Sequence, residues 1–331
     1  MKKIIQMMAF FTISIAVISC SDSSLIDSEL AQNANRSSAK ESGEGRQCAT
    51  MYVLAENKKD DPELEKKMND IEDQTEDFIK KQKKSRVGAT GTLTIPVVVN
   101  VIYSNANENI SQAQIQSQID VMNKDFSATN LDFSSVPSAF AGVKSNLEIQ
   151  FMLVNVIRKS STKTSWGTRD AMKSSKKGGI DATSPTTTLN LWVCNIGSGI
   201  LGYAQFPGGS LATDGVVIGP QYFGNTGYVS VPYDKGRTAT HEVGHWLNLR
   251  HIWGDANCGN DFVSDTPTQQ TSNFGCPVFP HVTCSNGSNG DMFMNYMDYT
   301  DDLCMFMFSE GQKLRTRAIF AIGGARSSFN P

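Results

Sequence analysis

Apolar positions change rhythm several times along the chain. Behind the basic head MKK runs IIQMMAFFTISIAVIS, a largely apolar stretch ending at residue 19. It is too short for a comfortable membrane span and reads as a signal peptide. From residue 20 to about 45, Ser, Asn, Gly and charged residues dominate, which suits a flexible tether. Residues 56–86 are dense in Lys, Glu and Asp, with Leu64, Met68, Ile71 and Phe78 near helical spacing, so one amphipathic helix is predicted. The character changes sharply after KKQKKSR. LTIPVVVNVIY (93–103) is a β-branched run and predicts a buried strand. SQAQIQSQIDVMNKDF (111–126) returns to helical spacing behind Ser111 as cap. Strands follow at 147–157, 188–196 and 214–219, with an edge strand interrupted by Pro207 at 199–209. A helix is expected over about 236–247, then a region rich in Gly, Asn, Asp and Pro, then a closing helix at 309–322. Strands mixed with helices above a loop-rich lower part predict an α/β domain over 87–331, behind a leader (1–19) and a tether with pro-segment (20–86).

Composition narrows the partners. The chain has 331 residues, 39% hydrophobic, with a net charge of −3, so it lacks the positive field that nucleic-acid binding needs. Val17, Ile18 and Ser19 directly before Cys20 resemble a bacterial lipobox, with Cys20 the lipidated first residue of an exported protein held at the cell envelope or surface. Export permits disulfides among the other six of its seven cysteines.

Three of the four histidines lie in HEVGHWLNLRH, His241 to His251. On a helix, His241 and His245 share one face and can reach one ion. His251 becomes a third ligand if the helix stops and the chain turns back, which leaves the open position a catalytic zinc requires. Glu242 is then placed to take a proton from water and pass it to a leaving amine. His281, in a Pro/Cys loop, reads as a surface residue.

The extended motif resembles the metzincin metallopeptidases, whose consensus has Gly where Asn248 stands. Asn tolerates left-handed angles and closes helices, so the turn is expected to survive the change. MNYMDYTDDLCM (294–305) resembles the clan's Met-turn, with Met297 as its Met and Tyr299 as the phenol that supports the oxyanion. Within the clan, HEVGHWLNLRHIWGD, the DTP at 265–267, NYMDYTDDLCM and the cysteine spacing most resemble the pappalysin family, over roughly residues 90–322. The implied fold is a mixed twisted sheet with an active-site helix and a disulfide-stapled lower subdomain.

Four cysteines alone allow three pairings. The resemblance implies Cys258–Cys284 and Cys276–Cys304, and Cys194, inside an apolar strand, is left as a buried thiol. Cys48 in GRQCAT resembles a cysteine switch that occupies zinc in a latent form. The resemblance also implies calcium on Asp261, the Ser264 carbonyl, Asp265 and Thr266. Asp302 matches a pocket-floor acid that selects Arg or Lys just after the scissile bond. Leu201, Gly202, Tyr203 and Ala204 on the edge strand are where an extended substrate would add as an antiparallel strand. The resulting reading is an exported, lipid-anchored, monomeric zinc endopeptidase, made latent and self-activating near Ser85–Arg86. A silent zinc-bearing surface adhesin is the rival reading, against which intact Glu242 and the latency cysteine argue; a non-proteolytic zinc hydrolase is a second.

Overall fold

The computed structural model describes residues 45–85 and 91–329. Cys20, the tether before residue 45 and the Arg86 side of the expected activation bond lie outside these residues. In place of one helix, the charged segment forms two, α1 (Thr50–Asp60) and α2 (Leu64–Ser85). Pro62 is the reason. It holds the preceding Asp61 in an extended conformation (φ −127°, ψ 96°), which ends the first helix. The Asp61 carboxylate then accepts from Glu63 N at 3.0 Å and starts the second.

The domain is built on a five-stranded sheet. Its strands are β1 (Leu93–Tyr103), β3 (Ile149–Ser160), β4 (Leu189–Val193), β5 (Gly202–Ala204) and β6 (Val216–Ile218), in the order β3-β1-β4-β6-β5. Neighbours are parallel except β5, which pairs antiparallel with β6 at one edge. A central parallel strand is covered on both faces, which explains the β-branched run of β1. Helix α3 (Gln112–Phe126) begins where Ser111 accepts from Gln114 N, and it buries Ile115, Ile119, Met122 and Phe126 against the sheet. Helix α4 (Arg237–Trp246) packs beside it. A short ladder, β2 (Lys144–Ser145) with β7 (Phe308–Ser309), leads into α5 (Glu310–Ala318). Its capping box, Ser309 with Gln312, is complete.

The last helix ends at Ala318, short of the expected residue 322, because the chain turns back to reach the active-site helix. Arg326 stacks on Trp246, 3.7 Å from the ring centroid, and pairs with Asp214 at 2.6 and 2.9 Å. Asp214 also accepts from the Trp246 indole at 3.1 Å. The ion pair is buried on both sides. Arg326→Ala therefore strands a buried carboxylate, and urea unfolding is expected to show a loss of about 3–5 kcal/mol. A loss under about 1 kcal/mol would mean that water reaches Asp214 and the clasp is dispensable.

Candidate active site

Helix α4 supplies two imidazoles and the turn after it supplies a third. Asn248 sits at φ +73°, in the left-handed region. Its N–H donates to His245 O at 2.9 Å, and Leu249 N donates to Gly244 O at 2.9 Å. This helix end reverses the chain and brings His251 back over the helix. The Nε2 atoms of His241 and His245 are 3.2 Å apart, and those of His245 and His251 3.1 Å. Each Nδ1 is committed elsewhere: His241 to Tyr296 O at 2.7 Å, His245 to Leu249 O at 2.8 Å, and His251 to Asp255 Oδ1 at 2.5 Å. A carbonyl only accepts, so Nδ1 of His241 and His245 carries the proton. Burial and the neighbouring imidazoles hold His241 and His245 well below the ordinary histidine range, hence neutral. The Nε2 lone pairs of His241 and His245 therefore face one another without a proton to share.

That arrangement fits a cation. Cys48 Sγ lies 3.7 Å from His245 Nε2, and the four ligand atoms all lie within 4.8 Å of one another. Tetrahedral zinc with bonds of about 2.0–2.1 Å to nitrogen would set such nitrogens about 3.3 Å apart. Burial and the adjacent Glu242 push the Cys48 thiol up, so only a cation beside it would make it a thiolate. His241, His245, His251 and Cys48 would hold the ion.

Glu242 is buried beside this cluster. Its Oε2 accepts from Thr50 Oγ1 at 2.8 Å and from Cys48 Sγ at 3.4 Å. Burial nevertheless pushes its carboxyl up to about 7. Tyr299 also borders the cluster, its ring 4.9 Å from His251 and 4.7 Å from Trp253, its hydroxyl 3.4 Å from Cys48 O. Its position is held from Asp298, which accepts from Tyr299 N at 2.8 Å and is itself tied to Gln269 and Asn273. Met297 lies beneath the helix, so close that a Cβ on Gly244 would stand 2.4 Å from its Sδ.

The edge strand is covered by the segment ahead of α1. Leu201 N donates to Gln47 O at 2.9 Å, Ala49 N to Gly202 O at 3.0 Å, and Ala204 N to Thr50 Oγ1 at 2.8 Å. This segment runs parallel to β5, with Cys48 opposite Gly202. Tyr203 points to the far side of the sheet, where its hydroxyl donates to Asp170 at 2.9 Å. Gly202 is constrained by the base itself, since a Cβ there would meet Glu242 Cγ at 3.0 Å. Asp302 is fully buried and already paired. Arg46 Nη2 reaches its Oδ1 at 2.5 Å, while its Oδ2 accepts from Lys235 N at 2.8 Å and Arg237 N at 3.1 Å. Arg46 also donates to Thr300 O at 3.2 Å and Thr238 Oγ1 at 3.1 Å.

The lower part is stapled by Cys258–Cys284 and Cys276–Cys304, and Cys194 is a buried free thiol. In the acidic loop, Asp261 accepts from Thr266 Oγ1 at 2.8 Å and Val263 N at 3.1 Å. Asp265 accepts instead from Ser309 Oγ at 2.7 Å and Gly311 N at 2.8 Å, pinning the loop to α5. The two carboxylates thus serve different partners, and a calcium ion there would need their oxygens turned toward one point. His281, exposed, pairs with Asp291 at 3.0 Å. The sequence reading missed Arg46, Thr50, Asp255 and Asp298. For Arg46 the signal was available, two residues before the switch cysteine. Asp255 could be found from the rule that a ligating imidazole needs an acceptor at its other nitrogen.

Comparison with known proteins agrees with this geometry. The family of pregnancy-associated plasma protein-A, peptidase family M43, matches residues 180–321. Extracellular metalloprotease 1 of Coccidioides posadasii is 35% identical over 252 residues, covering 70% of this chain and 80% of that protein. The chain belongs to the pappalysin family. Mature mirolysin of Tannerella forsythia, solved with a cleaved peptide, is similar at 47% identity and a TM-score of 0.71, over 72% of this chain and 96% of that one. A promirolysin mutant from the same organism is similar at 43% identity and a TM-score of 0.79, over 86% and 97%. Like its relatives, this pappalysin is a zinc metallopeptidase with a metzincin fold.

The left-handed angle at position 248 gives a test. Asn248→Gly is expected to keep one zinc per chain and to shift stability by less than about 1 kcal/mol. Asn248→Val, strained at that angle, is expected to lose zinc by elemental analysis. Full zinc in the Val variant would show that the turn does not depend on this conformation.

Proposed function

We propose that the protein is the latent form of an exported zinc endopeptidase that cleaves on the N-terminal side of Arg and Lys, and that residues 45–85 are its pro-segment. One observation carries the reading. The same short segment puts a thiol, Cys48, among the three imidazoles and a guanidinium, Arg46, on Asp302. The fuller likeness to promirolysin than to mature mirolysin supports a pro-form, because the added share is comparable with residues 45–85.

The chain's residues can then be given roles. Zinc, when bound to His241, His245 and His251, acidifies water and polarises a scissile carbonyl. Glu242 takes the proton of the attacking water at Oε2 and returns it to the leaving amine, a task suited to a carboxyl near neutrality. The Tyr299 hydroxyl donates to the developing oxyanion once Cys48 O no longer occupies it. Leu201 N, Gly202 O and Ala204 N, freed of the pro-segment, bind an extended substrate along β5 in the antiparallel sense. Asp302 receives the basic residue that follows the scissile bond. In the parallel sense, the pro-segment offers its backbone to the site reversed, so it blocks without being cut.

Three further elements belong to the proposal. Cys20 carries a lipid and holds the exported monomer at a membrane surface. Calcium binds at Asp261, Ser264, Asp265 and Thr266, supported by Asp261, which burial pushes up to about 7 and which has no ion-pair partner among the described residues. Activation is by self-cleavage near Ser85–Arg86.

Purified residues 21–331 and the Glu242→Ala twin test the reading together. The native protein is expected to shorten to a new end at Arg86 or a nearby Lys, read by mass spectrometry, while the twin keeps its length and its zinc. Asp302→Asn in the converted enzyme should lower kcat/KM on Arg peptides about 100-fold. If native protein neither shortens nor cuts peptides after trypsin nicking, the endopeptidase reading is wrong.

A further inference from the structure

Removal of the pro-segment does more than open the zinc site. On α2, Glu72 forms a two-pronged pair with Arg315 of α5, at 2.6 and 2.7 Å. Arg315 is buried, and its Nε also donates to the Asn248 carbonyl at 3.3 Å. Arg250, the residue before His251, lies beside it. The Arg250 guanidinium stands 5.2 Å from the Phe262 ring centroid and that of Arg315 5.7 Å. Arg250 Nε is buried without a hydrogen-bond partner, and Arg250 makes no ion pair among the described residues. Nearby carboxylates of the catalytic domain are committed, Asp255 to His251 and Asp261 to Thr266. Burial opposes the charge on Glu72, yet Arg315 and Arg250 together hold its carboxyl below the usual range.

The place of this pair along the cleft follows from β5. Arg46 on Asp302 marks the end of the cleft near Leu201. Phe206 marks the other end, packed under Leu54, Leu64 and Met68 of the pro-segment and 5.4 Å from the His245 ring. The Arg250 guanidinium lies 5.6 Å from the Phe206 centroid. If Asp302 reads the residue just after the scissile bond, chain lying over Phe206 and Arg250 precedes that bond.

We propose that Arg315, which pairs with Glu72 in the latent protein, and Arg250 beside it form a subsite of the mature enzyme for an acidic side chain on the N-terminal side of the scissile bond. Glu72 is the internal stand-in for that substrate carboxylate. A fork of guanidinium donors suits a carboxylate, and two adjacent guanidinium groups need an anion once Glu72 leaves. This inference rests on the endopeptidase reading for its direction along the cleft.

The test uses the self-converted protein and quenched peptides with one Ala–Arg bond. A single Glu is placed two to six residues before that bond, each peptide having a Gln twin. At one or two adjacent placements, the Glu peptide is expected to show a KM about tenfold below its twin. In Arg250→Gln and Arg315→Gln the Glu/Gln ratio should return toward one. Should Arg315→Gln fail to fold, Arg250→Gln carries the test, since its Nε makes no hydrogen bond. Binding to trypsin-nicked Glu242→Ala protein, by fluorescence anisotropy, separates the two readings. Peptides that go uncut but bind with the Glu preference sink the endopeptidase reading and leave the subsite standing. Peptides that are cut with equal KM for Glu and Gln at every placement sink the subsite alone.

Discussion

Three imidazole nitrogens converging on one point is the constraint on which the structure turns. His241 and His245 give their Nδ1 protons to backbone carbonyls, and His251 is held at Nδ1 by Asp255. What remains is a set of Nε2 atoms converging at 3.1–3.2 Å, an arrangement that suits a cation between them. Each device around the site maintains that convergence. The Asn248 turn returns the chain, the Met-turn segment offers Tyr296 O to His241, and Met297 fits under α4 because Gly244 has no side chain. The two disulfides hold a lower half with little regular hydrogen bonding of its own.

On the proposed reading of residues 45–85 as a pro-segment, the same constraint gives that segment its purchase. A thiol next to Glu242 and the imidazoles is a poor neighbour by itself, since burial and Glu242 both oppose its ionisation. With a cation present it becomes a ligand that competes with water. Arg46 adds a second anchor two residues away, and the parallel ladder with β5 fixes the spacing between them. On that reading, neither anchor explains latency alone. A thiolate without Arg46 is a labile ligand, and an arginine in the pocket without Cys48 resembles a substrate.

The fold was legible where local chemistry decided it. The β-branched run of β1, the Ser111 cap and the helix through His241 and His245 follow from periodicity and capping, because burial on one or two faces dictates those patterns. Pro62 was a local signal left unused in the prediction of a single helix. The short strands β5 and β6 came out narrower than their apolar runs, since pairing geometry rather than composition ends them. At the site, the histidines and Glu242 could be found from spacing, and Asp255, four residues past His251, from that imidazole's need for an acceptor, whereas Asp298 and Glu72 could not. Those carboxylates act through partners distant in the chain, as with the 243 positions between Glu72 and Arg315. Long-range pairing leaves no periodic trace, and only the demand of each buried donor or acceptor for a partner points to it.

On the proposed reading, that demand also ties a latent and a mature state together. The pro-segment meets the catalytic domain through groups that do not stay satisfied when it leaves: Cys48 at the histidines, Thr50 on Glu242, Arg46 on Asp302 and Glu72 on Arg315. Breaking a buried charge pair by removing one partner costs about 3–5 kcal/mol, far more than losing an exposed one. Water can replace Thr50 and Cys48. On the proposed reading, the opened cleft has the Asp302 carboxylate on one side of the catalytic centre and the Arg250 and Arg315 guanidinium groups on the other. A peptide of opposite pattern, acidic before the bond and basic after it, relieves both at once. On this argument the charges that hold the enzyme silent are the template from which its preference for substrate is drawn.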